Sequence, residues 1–187
     1  MILLPTLFND FCAYLEGKLK WSKPKGKVWT DTIFGFFSAE NKKETIPYLE
    51  LKEYMYVDYI WRYDTKRYTN LSDIEMALEH EGGTYVVSSI LAEEVSHLVD
   101  IKARYKIGIF YPSPGDEATL LDGIANMIVS QSDSVRLKQE EYLIILGYTT
   151  TKGGRRVIQF KGFIFDNKGV ITQELERMIS QATKSPA

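Results

Sequence analysis

The spacing of apolar residues changes twice along the chain. Over 3–20, Leu4, Leu7, Phe8, Phe11, Leu15 and Leu19 recur at helical intervals and predict an amphipathic helix. KLKWSKPKGK follows, polar and broken by Pro24 and Gly26. Val28, Trp29, Ile33, Phe36 and Phe37 then predict a second helix over 28–39. After Pro47 the period shortens. YLELKEYMYVDYIWRY is dense in Tyr, Val, Ile and Trp, which favour extended chain, so two strands are expected near 48–53 and 55–62. DTKRYTNLSD reads as a loop, and 74–81 as a third strand with Ile74, Met76 and Leu78 at alternate positions. Helical spacing returns over 85–104 with Val86, Ile90, Leu91, Val95, Leu98, Val99 and Ile101. KIGIFYP, 106–112, is a nearly continuous apolar run and predicts a buried central strand. A helix over 115–131, strands over 141–148 and 156–166 joined as a hairpin by TTTKGG, and a closing helix over 172–183 complete the pattern. This order predicts an α/β fold, a mixed central sheet flanked by helices, in one domain spanning 1–187.

Composition narrows the function more than the fold. At 187 residues the chain suits one domain with a sizeable core. A net charge of -2 argues against coating nucleic acid by bulk electrostatics, but leaves room for a local basic groove. The one cysteine, Cys12, excludes a disulfide scaffold and multi-cysteine zinc sites. The first residues, MILLPTLFNDFC, lack a basic leader, and no apolar run approaches the roughly 20 residues needed to span a bilayer. A cytoplasmic protein with no membrane partner is the expectation.

The stretch IEMALEHEGG carries the candidate chemistry. Side chains alternate across a strand, so Glu75, Ala77, Glu79 and Glu81 share one face, and Met76, Leu78 and His80 the other. In the preceding strand Asp58 shares a face with Tyr54, Tyr56 and Ile60. If the two strands are antiparallel neighbours, Asp58 comes to Glu79 and Glu81. Three gathered carboxylates repel one another, and a cation between them relieves the repulsion. Oxygen donors of this kind select Mg²⁺ or Mn²⁺, which can drive phosphodiester hydrolysis.

The order helix, strand, strand with Asp, strand ending in acid-x-acid, helix, apolar strand resembles the core of the PD-(D/E)XK, or restriction-endonuclease-like, nucleases. The matching pieces are VDYIW around Asp58, EHE at 79–81, the helix over 85–104 and YKIGIFYP after it, about 28–112 in all. The resemblance implies Asp58 and Glu79 as metal ligands, with Glu81 at the position usually held by the catalytic lysine. It implies an acid on the helix before the sheet, for which Glu40 is the nearest candidate and Glu44 or Glu50 are alternatives. Val57 stands in place of the motif's proline, and Glu81 in place of its lysine. Some members carry a glutamate there; in others the lysine has moved to a neighbouring element, a part open here to Lys102 or Lys106. The resemblance further implies a DNA substrate, an Mg²⁺ or Mn²⁺ cofactor and, as for many such nucleases, a homodimer.

Other features have plainer readings. His80 faces away from the carboxylates and reads as a packed or surface residue. His97 follows Glu93 and Glu94 by one helical turn and reads as their ion-pair partner. Two basic segments remain: KLKWSKPKGKVW, with Lys23, Lys25 and Lys27 beside Trp21 and Trp29, and TTTKGGRR, with Lys152, Arg155 and Arg156. Either suits a DNA backbone, and either serves equally as a solvated surface. Gly82 and Gly83 read as the turn into the helix. Metal-dependent DNA cleavage is thus the leading expectation; the alternative is a nuclease-like fold without activity, serving as a nucleic-acid-binding or assembly module. A sugar hydrolase is a poor third, because Glu79 and Glu81 point the same way and cannot flank a bond.

Overall fold

A computed structural model describes residues 2–18, 26–63, 74–83, 86–131, 139–152 and 155–180. Among them one seven-stranded sheet runs in sequence order: β1 (Leu49–Tyr54), β2 (Val57–Arg62), β3 (Ile74–His80), β4 (Ala103–Phe110), β5 (Glu141–Lys152), β6 (Arg155–Asp166) and β7 (Ile171–Ser180). The first three strands are antiparallel, β3, β4 and β5 are parallel, and β5, β6 and β7 are antiparallel again. Parallel neighbours need a crossover, and helices supply both. The first, α3, joins Val87–Ser89, a π-helical stretch Ile90–Val95 and Ser96–Asp100 in one run between β3 and β4. The second, α4, is Glu117–Ser130, between β4 and β5. Two helices precede the sheet, α1 (Leu4–Lys18) and α2 (Lys27–Asn41).

Each face of the sheet is covered by a helix pair. Phe8, Phe11 and Leu15 of α1 and Ile33, Phe36 and Phe37 of α2 pack on Tyr59, Trp61, Met76, Leu78, Ile107 and Ile109. On the other face Ile90, Val95, Leu98 and Val99 of α3 and Leu120, Ile124 and Ile128 of α4 pack on Ile60, Ala77, Ile144 and Leu146. Covered on both sides, β3 is buried at every position, charged residues included. A side chain at Gly123 of α4 would collide with Leu91, so this glycine lets the π stretch seat against α4. Among the described residues no helix is long and apolar enough to cross a membrane.

Three expectations fail here. The segment expected as a closing helix is β7. Ile171, Leu175 and Ile179 are four apart, a spacing that fits one face of a strand as well as one face of a helix. Pairing along β6 decides the matter, because that strand would otherwise leave a long row of backbone groups unpaired. Glu75 does not share a face with Glu79. The register slips between Trp61 and Arg62, Ile74 packs toward α3 while Met76 packs toward α1 and α2, and Glu75 is buried against Tyr63 Oη (3.2 Å) and Arg104 Nη1 (3.6 Å). Val57, which the alternation that groups Asp58 with Ile60 would set on the opposite face, packs with Ile60 in the core on the α3 side.

His80 ends β3 on the α1/α2 side. Its Nδ1 lies 3.3 Å from Thr30 Oγ1 and its ring is edge-on to Tyr111. Burial pushes the imidazole from 6.5 down to about 4. The neutral ring therefore contributes stability that is complete above the unfolded value and is lost as pH falls from 6.5 toward 4, up to roughly 3 kcal/mol. Urea unfolding at about pH 7 and about pH 4.5 should show wild type losing more stability than His80→Phe. Equal losses would mean that this ring does not titrate on unfolding.

Candidate carboxylate site

The register that pairs Tyr59 with Leu78 sets Asp58 beside Glu79, as the alternation anticipated. The backbone N–H of His80 donates to Asp58 Oδ2 at 2.9 Å and fixes that carboxylate against the end of β3. A third acid comes from α3. Glu94 lies in the π stretch, and carboxylate oxygens of Asp58, Glu79 and Glu94 stand within 4.8 Å of one another. In a regular helix Glu94 would share the phase of Ile90 and point into the core. The π turn puts Val95 there instead, five residues on, and swings Glu94 to the β2–β3 side.

Asp58 and Glu94 are half-buried, and Glu79 between them is fully buried. Glu79 is 1% exposed and its Oε1 accepts no hydrogen bond; His97 Nδ1 stands 3.4 Å from it. Burial, then the neighbouring Asp58 and Glu94, push the Glu79 carboxyl far above the usual carboxylate range. Burial likewise raises Glu94, against a hydrogen bond shared with Glu79. Burial raises Asp58 too, opposed by the His80 N–H. Mutual repulsion without a counter-ion favours a proton on Glu79, the most strongly raised of the three, and a cation bound here would displace it.

The remaining candidates are dispersed. Glu81 turns back on its own turn, where its Oε1 accepts from the Gly83 N–H at 2.9 Å, and it is not in the triad. Lys106 faces α3, but its Nζ is engaged by Val99 O (3.0 Å), Glu140 Oε2 (3.2 Å) and Tyr142 Oη (3.2 Å). Lys102 is exposed and precedes β4, beside the start of β3 rather than its end. Glu40 pairs with Lys43 at 2.6 Å and lines a shallow cavity with Glu44 and Trp61, on the α1/α2 face of the sheet. Glu50 accepts from Asn41 Nδ2 (2.8 Å) and Ser38 Oγ (3.1 Å) at the β1 edge. None of these three acids joins the cluster.

Lys27 is exposed at the start of α2, whose preceding Gly26 N would lie 4.0 Å from a Cβ at Gly82, so it stands at the cluster's end of the sheet. Lys23 and Lys25 lie outside the described residues, as do the side chains of Lys152, Arg155 and Arg156, whose backbones form the distal end of the β5–β6 hairpin. Reading spacing alone misses Glu94. Its signal is the five-residue interval between the apolar Ile90 and Val95, one too many for an α-helix. Comparisons with protein-family models, curated proteins and solved structures give no match.

Proposed function

We propose that the chain is a divalent-metal-dependent nuclease acting on DNA, with a restriction-endonuclease-like core and Asp58, Glu79 and Glu94 holding Mg²⁺ or Mn²⁺. The observation that carries this reading is the convergence of three carboxylates from β2, β3 and α3, one of them, Glu79, buried with an oxygen, Oε1, that accepts no hydrogen bond. The donor set is all oxygen, which suits a hard cation. The element order also supports it: a helix, an antiparallel β1–β2–β3 meander, a helical crossover and a parallel β4.

The chain's own residues would divide the work. Asp58, held by the His80 N–H, gives a ligand with little freedom to move. Glu79 supplies charge from a water-poor position, and Glu94 closes the set from α3. His97, stacked on Tyr56 with ring centroids 5.8 Å apart, holds an Nδ1 beside Glu79 and limits how that side chain turns. When bound, the metal supplies Lewis-acid polarisation of a phosphoryl oxygen and a lowered water pKa.

A second reading, an inactive nuclease-like binding module, is favoured by one observation. Glu81 occupies the lysine's position in the motif and turns away to Gly83, while Lys106 is held by other acceptors. Calorimetric titration of Mn²⁺ into wild type and Glu94→Gln, alone and with a DNA oligonucleotide, tests the metal site. Saturable binding lost in Glu94→Gln is the expected result, with Mn²⁺-dependent nicking of plasmid or single-stranded DNA to match. A wild type silent in both titrations overturns the metal reading; binding without nicking leaves the inactive module.

A further inference from the structure

The turn between β1 and β2 is built from residues that do not suit it. Tyr54 pairs with Val57, so Met55 and Tyr56 alone make the turn. Their φ values are 51° and 70°, the geometry of a two-residue type I′ turn, for which Asn-Gly is the favoured pair. Glu53 beside them has φ 52°, and among the described residues these three are the non-glycine residues with positive φ. Bulky side chains in this region are held there against a local conformational cost. Nor does burial repay it, since Met55 is 60% and Tyr56 85% exposed.

What the turn achieves is the position of one ring. Tyr56 lies nearly parallel to His97, at 28°, and His97 in turn reaches Glu79 Oε1 at 3.4 Å. With one face on His97 and most of its surface in solvent, the ring is an open aromatic platform one side chain from the carboxylate cluster.

Resting on the nuclease reading above, we infer that Tyr56 stacks a nucleobase of the substrate, and that the substrate is therefore single-stranded nucleic acid or an unpaired end. A base offers a face only when unstacked; within a duplex the faces are covered by neighbouring pairs. Tyr56, backed by His97 and 85% exposed, leaves ring surface that a base can cover. The site around it is acidic, so affinity for the strand comes from stacking and from the bound cation, not from a basic groove.

The test uses the whole protein with Mn²⁺ and fluorescein-labelled oligo-dT, single-stranded or annealed to oligo-dA, read by anisotropy in parallel with Mn²⁺ calorimetry. Wild type should prefer the single strand. Tyr56→Ala should weaken that binding by at least about fivefold, while Tyr56→Trp keeps it. Replacing Met55-Tyr56 by Asn-Gly should weaken binding and raise the melting temperature together, an outcome that a structural role for the tyrosine does not give. Unchanged binding in Tyr56→Ala with Mn²⁺ binding intact overturns this inference alone. Equal or tighter duplex binding, no oligonucleotide binding, or a weaker Tyr56→Ala that is also equally destabilised overturns it as well. Absent Mn²⁺ binding instead sinks the metal reading.

Discussion

Glu79→Gln is expected to stabilise the metal-free protein at alkaline pH and to abolish metal-dependent DNA cleavage. Both effects have one origin. Glu79 is 1% exposed and faces Asp58 and Glu94, so burial first and those carboxylates second hold it protonated well above the usual carboxylate range. A group whose folded pKa lies above its unfolded value gives its full stabilisation below the unfolded value and loses it as pH rises. For Glu79 the loss starts near the ordinary glutamate value, because the unfolded chain ionises and the folded one does not. The slope is at most about 1.4 kcal/mol per pH unit. Glutamine copies the shape of the neutral acid without the proton. In EDTA, melting temperatures between about pH 5 and pH 8 should therefore fall less steeply for Glu79→Gln than for wild type. With Mn²⁺ the order reverses, since a ligand that binds only the folded state raises the wild type alone. Cleavage should drop by more than about a hundredfold, the upper end of what even the outer partners of a metal site cost. Parallel pH slopes in EDTA would show that the carboxylates do not repel as the geometry requires. Equal stabilisation by Mn²⁺ would show that Glu79 is not among the ligands.

Much of the carboxylate pair was legible from two short strings. Alternation in VDYIW and MALEH, with the assumption of antiparallel neighbours, brings Asp58 to Glu79, because burial on both faces leaves a strand few ways to turn. The third acid was hidden by a local departure from regular helix. A π turn changes the phase of α3 by one residue, and a period of 3.6 then assigns Glu94 to an ion pair with His97 rather than to the cluster. Glu81 failed for a related reason: β3 ends at His80, and beyond it alternation has no force. Glu40 failed because a helix preceding a sheet can pack on either face, and α2 chose the face away from Asp58. The closing strand was lost because a four-residue repeat is even as well as nearly helical. Nothing in the spacing of charged residues marks Lys106 as buried; its partner Glu140 is 34 residues away and precedes a strand whose register only the fold supplies.

Removing that lysine is expected to be the most destabilising single change in the molecule outside its apolar core. Lys106 and Glu140 are 0% and 2% exposed, joined at 3.2 Å, with Tyr142 Oη within 3.2 Å of each. The Lys106 ammonium also caps Val99 O in the last turn of α3, where positive charge is favoured. Lys106→Ala takes away the ammonium and leaves Glu140 buried without it, which typically costs 3–5 kcal/mol. Replacing both partners together by apolar groups of similar size, Lys106→Met with Glu140→Leu, avoids the stranded charge and should recover most of that loss. The pair of variants also separates two roles for the lysine. If it steadies charge during phosphodiester cleavage, the double variant melts near wild type and binds Mn²⁺, yet does not cut DNA. If its work is to hold α3 on the sheet, the double variant cuts. The second outcome is expected, because the three acceptors on Nζ already hold the ammonium under α3, on the β5 side of the sheet from Asp58. Urea unfolding and cleavage of single-stranded and plasmid DNA on the same preparations decide it, and a fully folded double variant inactive where wild type cuts would return Lys106 to the chemistry.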